Sequence, residues 1–454
     1  MESSNELGEE KIGKLLLKFS IPAVIGMVVN GLYNVIDRLF VGKGVGPLGQ
    51  AATTVAFPIP IVILAFGLLF GIGAAATISI RLGQNKKEEA EHILANAMVL
   101  IILSSIILTI LGLIFLNPLL LLFGASPEVM PYARDFVSII LWGSLLQNFG
   151  FGMNHIIRAS GDPKTSMYTM LIGALINIAL NPLFIFVFKL GIKGSALATV
   201  ISQAVSSIWV LTYLLSDRSL LKIKVKNFIP KIHIIKQIFS IGLSPFLMQL
   251  ASSVITIILN ISLKTYGGDN ALAAMGIVNS IAMLILMPVF GINQGSQPII
   301  GYNYGAKKYD RVVHTLKLTI IAAVSVATFG FLMIQLFSKA IISQFSGNDE
   351  NLLELGVLFL RVWLVMLPIV GFQIVSSNYF QAIGKAKISI FLSLSRQVIV
   401  LIPVLIILPK FFGLTGLLAA GPTADIIATL LTLYMLFKEM KHIKLLYPKT
   451  ELTQ

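Results

Sequence analysis

Cysteine is absent from the 454-residue chain, and charged residues are scarce. The absence of cysteine excludes disulfides, thiolate metal sites and cysteine nucleophiles. Only 12% of the residues are charged and only 20 are acidic, whereas 56% are apolar. A membrane enzyme acting on a metal–diphosphate needs clustered acids, and no predicted span contains such a cluster. No phosphate-binding loop followed by Lys-Ser or Lys-Thr is present, so we do not expect ATP to drive this protein.

Long apolar runs dominate the sequence instead, and the mean hydropathy is +0.89. Each run is long enough to cross a bilayer, which takes about 20 residues. We therefore predict an all-α polytopic protein of the plasma or inner membrane, with twelve transmembrane helices. The first ten residues are acidic and polar, so we expect no cleavable signal peptide. The predicted spans lie near 19–43, 51–80, 93–116, 132–156, 165–187, 195–215, 238–264, 271–300, 313–338, 353–379, 388–408 and 415–437.

The distribution of Lys and Arg between the loops predicts the orientation of these spans. With a cytoplasmic N-terminus, the inner segments carry 23 basic residues and the outer segments carry 7. We therefore predict that both termini are cytoplasmic. The net charge of +14 follows largely from this asymmetry. We expect these basic residues to interact with the anionic surface of the lipid bilayer, and we do not expect the protein to bind nucleic acid.

The longest polar interruption, residues 216–237, divides the chain into two halves of six spans each. We predict an N-lobe at 1–215, a cytoplasmic linker at 216–237, and a C-lobe with a cytoplasmic tail at 238–454. The halves resemble each other at an offset of about 222 residues; for example, Gly191-Ile192-Lys193-Gly194 returns as Gly413-Leu414-Thr415-Gly416. Because six is even, both halves have the same orientation. This predicts two six-helix lobes related by a pseudo-two-fold axis along the membrane normal.

The first span carries a stripe of polar residues. Asn30, Asn34 and Asp37 recur at i, i+4 and i+7, so they share one helix face, with Tyr33 beside them. A carboxylate inside a membrane helix is costly and usually marks an ion or proton site. The alternative is that Asp37 forms an ion pair with Arg38 near the membrane surface. Consecutive helical residues point about 100° apart, so these two side chains are poorly placed to pair.

Polar residues in the fifth and sixth spans extend this hypothesis. Asn177 and Asn181 are four residues apart, so both amides face one direction, and Thr199 follows in the next span. Together with Asp37, these residues offer the carboxylate, amide and hydroxyl oxygens that a monovalent cation such as Na⁺ needs. The alternative is that the amides and the hydroxyl join helices through hydrogen bonds.

Charged and polar residues of the C-lobe have a different arrangement. Arg396 lies inside the eleventh span and Asp425 inside the twelfth, which favours a buried structural pair. The alternative is a second coupling or substrate site with Gln294 and Gln297. Met287 belongs either to an adaptable cavity or to the apolar core.

Four stretches resemble the prokaryotic branches of the multidrug and toxic compound extrusion family of secondary transporters. They are Asn30–Gly42, Ile176–Phe186, Gly291–Gly305 and Phe380–Lys385. The resemblance implies an antiporter, not an enzyme, that exports cationic or amphipathic organic compounds in exchange for Na⁺ or H⁺. It implies no cofactor, and we expect a monomer.

The resemblance also implies an ion site in the N-lobe formed by Asp37, Asn177, Asn181 and Thr199. Tyr33 and Asn154 would flank this site. Family members with a well-marked ion site commonly carry a second acid where this chain has Asn181. The alternative function is a lipid-linked oligosaccharide flippase of the same superfamily, which would require basic residues in its cavity. Arg396 is the one deep basic residue that the sequence suggests.

Overall fold

The computed structural model describes the backbone of residues 2–346 and 349–446. Within these ranges, the side chains of residues 2–5, 34, 38, 346 and 444–446 lie outside the description. The described residues are almost entirely helical and contain no strand, which confirms the all-α prediction. The α-helices are α1 Glu2–Glu9, α2 Ile12–Val45, α3 Pro47–Ala56, α4 Pro58–Gly83, α5 Lys87–Ile114, α6 Leu116–Leu122, α7 Met130–Ala159, α8 Pro163–Pro182, α9 Gly191–Leu215, α10 Ile232–Gly305, α11 Tyr309–Ser346, α12 Glu350–Trp363, α13 Leu367–Ala382, α14 Ala386–Leu394 and α15 Ile402–Leu446.

Twelve spans are present in the described ranges once the breaks in the longest helices are considered. Nine helical segments are long and apolar enough to cross a membrane, and α12 and α13 form one further span bent by 46°. Two of the nine segments are broken at glycines with a positive φ, which are Gly268 within α10 and Gly413 within α15. Because side chains disfavour this backbone region, glycine permits a sharp turn between two spans there. Each broken segment therefore contributes two spans.

The internal repeat recurs in the backbone itself. Eight of the ten described residues with a positive φ form four pairs that are separated by 222 or 223 positions, and in two of these pairs the angles differ by only 1° or 2°. A nearly constant sequence offset in independent turns indicates that the two halves repeat one helical plan. The pairs are Gly46 and Gly268 at 81° and 69°, Asn85 and Lys307 at 60° and 59°, Gly161 and Gly384 at 105° and 77°, and Gly191 and Gly413 at 58° and 56°.

The chain forms two compact units by its contacts. Unit 1 comprises residues 1–9 and 25–250, and unit 2 comprises residues 10–24 and 251–454. The unit boundaries therefore lie inside α2 and α10, whereas the prediction places a domain boundary at the linker 216–237. The difference is confined to residues 10–24 and 238–250.

Close packing at glycines explains this assignment in unit 1. A Cβ atom on Gly242, in the first part of α10, would collide with the backbone of Leu69 in α4. Likewise, a Cβ atom on Gly73 would collide with the backbone of Ile238. Small residues allow helices to approach this closely in membranes. The first part of α10 consequently packs as a member of unit 1.

Close packing at glycines also joins the start of α2 to unit 2. A Cβ atom on Gly291 would lie 2.5 Å from the Cα of Val24, and one on Gly295 would lie 2.6 Å from the Cα of Ser20. The Ser20 hydroxyl also donates a hydrogen bond to the carbonyl oxygen of Ile292 at 3.4 Å. Residues 10–24 therefore pack on the second part of α10, within unit 2.

The linker is docked on α5 within unit 1. The Asn96 amide donates to the carbonyl oxygen of Asn227 at 3.2 Å and accepts from the Lys231 backbone nitrogen at 2.9 Å. The Glu91 carboxylate, only 2% exposed, forms an ion pair with Lys224 at 2.6 Å. The Asn96 contacts satisfy two backbone groups of the linker, and the ion pair compensates the charge of the buried Glu91. The linker is therefore held in place by specific side chains.

Candidate ion and substrate sites

Asp37 lies towards the C-terminal end of α2, about 12 Å of helix rise before Val45. Its side chain is half-buried. Asn181, from the end of α8, donates its Nδ2 hydrogen bond to Asp37 Oδ1. Ser195, from the start of α9, donates its Oγ hydrogen bond to the same oxygen at 3.2 Å. Three helices therefore meet at this carboxylate.

A chain of hydrogen bonds continues from Asn181 into the unit. The Asn181 amide nitrogen also approaches Asn177 Oδ1 at 3.4 Å. The Asn177 amide in turn donates to Thr199 Oγ1 at 3.2 Å, and the Tyr33 hydroxyl is hydrogen-bonded to Thr199. Asn177 and Asn181 are completely or almost completely buried. The structure therefore brings five predicted site residues together: Tyr33, Asp37, Asn177, Asn181 and Thr199.

One acceptor in this network has no partner among the described residues. The Asn181 side-chain oxygen is buried, and no hydrogen bond reaches it. Buried polar atoms are nearly always satisfied, so an exception requires an explanation such as a bound ion or water. The Asn181 nitrogen contacts Asp37, and the unpaired oxygen of the same amide is chemically suited to bind a monovalent cation.

The local chain geometry explains how α8 and α9 deliver their side chains. A π-helical turn, Leu183–Val187, follows Pro182 directly, and the Phe188 nitrogen bonds to the Leu183 carbonyl at 2.9 Å. A Cβ atom on Gly194 would lie 2.9 Å from the Phe184 carbonyl oxygen. This close approach seats the first turn of α9 against the π-helical turn. Ser195 is thereby positioned to reach Asp37.

Asn154, which the resemblance places beside the ion site, belongs to another network. Its oxygen accepts from Arg158 Nη2 at 3.1 Å and from Ser166 Oγ at 2.8 Å. Its nitrogen donates to the Ser166 carbonyl at 2.7 Å. Ser166 is eleven residues before Asn177 on α8, or about 16 Å of helix rise. Of the remaining predicted residues, the Asn34 side chain lies outside the described part of the chain.

Unit 2 contains an ion pair near the middle of its last two spans. Arg396 Nε donates to Asp425 Oδ1 at 2.6 Å. Arg396 lies on a second π-helical turn, Ser395–Leu401. The next residue, Gln397, donates its side-chain hydrogen bond to Ser252 Oγ at 3.2 Å.

The other predicted residues of unit 2 lie on the second part of α10. Gln294 and Gln297 are three residues apart and half-buried, and the Gln297 nitrogen is buried without a partner among the described residues. Met287 is 5% exposed. Such burial favours a role in the core of unit 2 over a role in lining an open cavity.

Comparison with known proteins identifies the family. The MatE family model matches residues 22–183 and again residues 245–407, so the match itself is two-fold. Multidrug export protein MepA of Staphylococcus haemolyticus is 28% identical over 429 residues, which cover 94% of each chain. The Staphylococcus aureus (strain MSSA476) protein of that name is 26% identical over 434 residues, covering 93% of this chain and 94% of that protein.

Solved structures agree with these sequence matches. The MATE multidrug transporter DinF-BH, in complex with the dye rhodamine 6G, is 39% identical and has a TM-score of 0.89. The match covers 95% of this chain and 96% of DinF-BH. A multidrug resistance MATE transporter in the outward-facing conformation is 27% identical, with a TM-score of 0.91, covering 97% and 98% of the two chains. The chain therefore belongs to the MatE family of multi-pass cell-membrane transporters, which are not enzymes.

Proposed function

We propose that this protein is a secondary active multidrug efflux antiporter, which exports cationic or amphipathic organic compounds in exchange for Na⁺ or H⁺. The relatives named above are multidrug exporters by name, and one of them binds the cationic dye rhodamine 6G. The described hydrogen-bonding residues of the candidate ion site belong to unit 1 of a single chain. A monomer would therefore contain a complete site.

The proposal that an ion binds near Asp37 and drives export is supported by the unpaired oxygen of Asn181, whose amide nitrogen contacts Asp37. A sodium ion bound to the Asn181 oxygen would lie in the network that also contains the Asp37 carboxylate and the Thr199 and Ser195 hydroxyls. A proton on Asp37 would engage only one further oxygen, whereas a metal cation is bound by several at once. The arrangement consequently favours Na⁺ over H⁺ as the coupling ion.

Binding of an ion at this site would change the electrostatics that a substrate meets. Asp37 is the one acid among the described residues of this network, so a bound cation would cancel its charge. In surroundings of low dielectric constant, that charge attracts a cationic drug strongly. Loading the inward-moving ion would therefore weaken the binding of the drug and promote its release.

Dye export measured with separate ion gradients tests this proposal. Purified protein in liposomes should export rhodamine 6G when a Na⁺ gradient is imposed without a pH gradient. The Asp37→Asn variant, which is nearly isosteric, should fold normally and lose gradient-driven export. Asp135→Asn is a matched control, because Asp135 forms a half-exposed ion pair with Lys193 at 3.3 Å. Export by Asp37→Asn at the wild-type rate, with unchanged dependence on both gradients, would contradict the proposal.

We also propose that both termini and the linker 216–237 are cytoplasmic, because the predicted inner segments carry most of the basic residues. A tag inserted in the linker should be protected from an impermeant reagent in whole cells and should react in inverted vesicles. Labelling of this tag from outside intact cells would reverse the proposed orientation.

The alternative function as an oligosaccharide-lipid flippase has less support. A pyrophosphate group would need uncompensated positive charge, and the Arg396 charge is already compensated by Asp425 at 2.6 Å. Export of rhodamine 6G without any dependence on lipid-linked sugar separates the two functions.

A further inference from the structure

We propose that Arg396 and Asp425 form a second substrate site, located in unit 2, which binds the carboxylate of zwitterionic amphipathic compounds. The proposal rests on the export function proposed above and adds a substrate class to it. It assigns the ion pair a role beyond the structural one that the sequence favours.

The geometry of the pair leaves most of the guanidinium available. Asp425 is engaged by Nε alone, at 2.6 Å. A guanidinium has five N–H donors, and no other hydrogen bond or ion pair of Arg396 is found among the described residues. The Asp425 side chain is 7% exposed, whereas that of Arg396 is 33% exposed. The two Nη groups therefore present a planar fork, which matches the two oxygens of a carboxylate.

The position of the pair along its helices indicates what this fork faces. Arg396 is ten residues after the start of α14, or about 15 Å of rise, and Asp425 is twelve residues after the break at Gly413, or about 18 Å. Both therefore lie near the middle of a hydrocarbon layer that is about 30 Å thick. A partly exposed charge at that depth faces a polar cavity, because exposure to lipid is too costly.

Two further buried polar atoms lie close to the pair along the chain. Gln397 Oε1 is buried without a hydrogen-bond partner in the described part of the chain, and so is Thr429 Oγ1, one turn beyond Asp425. Buried acceptors left unpaired are uncommon in folded proteins and often indicate a missing guest or water.

The backbone supplies an independent indication. In unit 1, a π-helical turn adjoins the candidate ion site directly after Asn181 and Pro182. In unit 2, the corresponding eleventh span contains a π-helical turn, and Arg396 lies on it. Such turns occur frequently at functional sites because they change the direction in which side chains project.

Charge balance selects the class of guest. The Arg396–Asp425 pair is neutral, so a purely cationic compound would add an uncompensated charge at this depth. A zwitterion contributes both signs, and its carboxylate supplies the acceptors that the fork requires. The site should therefore discriminate between compounds that differ only in a free carboxylate.

Rhodamine 6G and its de-esterified free acid are a matched pair of probes, since they differ only in an ethyl ester. We expect wild-type protein in liposomes to export both dyes. In the Arg396→Gln/Asp425→Asn double variant, the ratio of acid to ester export should fall about ten-fold or more, as expected for loss of a hydrogen bond between charged groups. Arg396→Lys keeps the charge but loses the fork, so the ratio should fall there as well.

Arg361→Gln is the control, because that exposed arginine already donates to Ser338 Oγ at 2.8 Å and to the Gln335 carbonyl at 3.2 Å. Its dye ratio should equal that of wild type. An unchanged ratio in either folded Arg396 variant would overturn the proposed site, as would wild-type export of the ester alone. If the double variant does not fold, the ratio of acid to ester export by Arg396→Lys tests the proposed site. Export of neither dye by wild type would instead refute the export function.

Discussion

We expect the choice of coupling ion to depend on Asn181, because its amide lies beside Asp37 where the family resemblance implies a second acid. In the Asn181→Asp variant, two carboxylates would lie within hydrogen-bonding distance of each other. Two carboxylates this close cannot both remain ionised, so the pair should bind a proton. We expect rhodamine 6G export by the variant to depend more steeply on the pH gradient and less on Na⁺.

Separate Na⁺ and pH gradients across proteoliposomes measure this shift. Asn85→Asp, at the turn between α4 and α5, adds the same charge away from the site and should leave both dependences unchanged. Wild-type ion dependence in Asn181→Asp would show that this position does not select the ion.

Asp425 should be required for folding as long as Arg396 is present. Removing one partner of a fully buried ion pair costs about 3–5 kcal/mol, and the cost should be smaller here because Arg396 is 33% exposed; replacing both partners is often tolerated. Asp425→Asn should therefore lower the yield of folded protein and its melting temperature in detergent. The double neutral variant should restore both quantities. If Asp425→Asn were as stable as wild type, the pair would have no structural role.

At the scale of residues, the sequence predicts a candidate ion site where polar side chains interrupt apolar helices. Asp37, Asn177 and Asn181 are conspicuous for this reason, and the structure joins them through hydrogen bonds. Ser195 contacts Asp37 but gives no comparable signal, since serine hydroxyls in helices commonly bond to the preceding turn. Asn154 shows the opposite case, because its polarity serves Arg158 and Ser166 instead.

At the scale of elements, glycines determine which helices belong together. Gly242→Ala should be strongly destabilising, because its Cβ would overlap the Leu69 backbone, which cannot move aside like a flexible side chain. Overpacking of this kind costs about 1–3 kcal/mol or more. Thermal unfolding in detergent, followed by size-exclusion chromatography, should show a lowered melting temperature.

Gly276→Ala, also in α10, is the matched control, since no atom lies within 4 Å of the added Cβ. Its stability should stay within about 1 kcal/mol of wild type. Equal effects of the two substitutions would mean that close packing at Gly242 does not hold the first part of α10 in unit 1.

The two π-helical turns are elements that the sequence does not predict. Pro182 signals a disturbed helix because it lacks an N–H group, yet proline allows kinks, breaks and altered turns alike. The sequence therefore predicts a disturbance near Asn181 but not its form. The assignment of residues 10–24 to unit 2 is equally inaccessible from sequence, because it depends on backbone contacts of Gly291 and Gly295.

At the scale of the whole molecule, hydropathy and the repeat predict the number of spans well. The turns at Gly191 and Gly413, matched in the sequence, have nearly identical φ angles of 58° and 56°. Span number follows from the cost of burying polar backbone and charge in lipid, which every segment shares. Membership of a compact unit depends on individual contacts, so it is far less visible in the sequence.

The whole transporter is also a thermodynamic system with two ligands. If a cation at Asp37 weakens drug binding by some factor, then drug must weaken cation binding by the same factor. The apparent dissociation constant of rhodamine 6G should therefore rise with Na⁺ in detergent-solubilised protein. The dissociation constant of Na⁺ should rise equally with rhodamine 6G, and typical coupling energies correspond to about 5–150-fold.

Asp37→Asn should bind rhodamine 6G independently of Na⁺, because the acid that senses the ion is gone. If the affinity of wild type for rhodamine 6G were insensitive to both Na⁺ and pH, occupancy of the Asp37 site could not drive release. The coupling would then have to be sought in unit 2, at the Arg396–Asp425 pair.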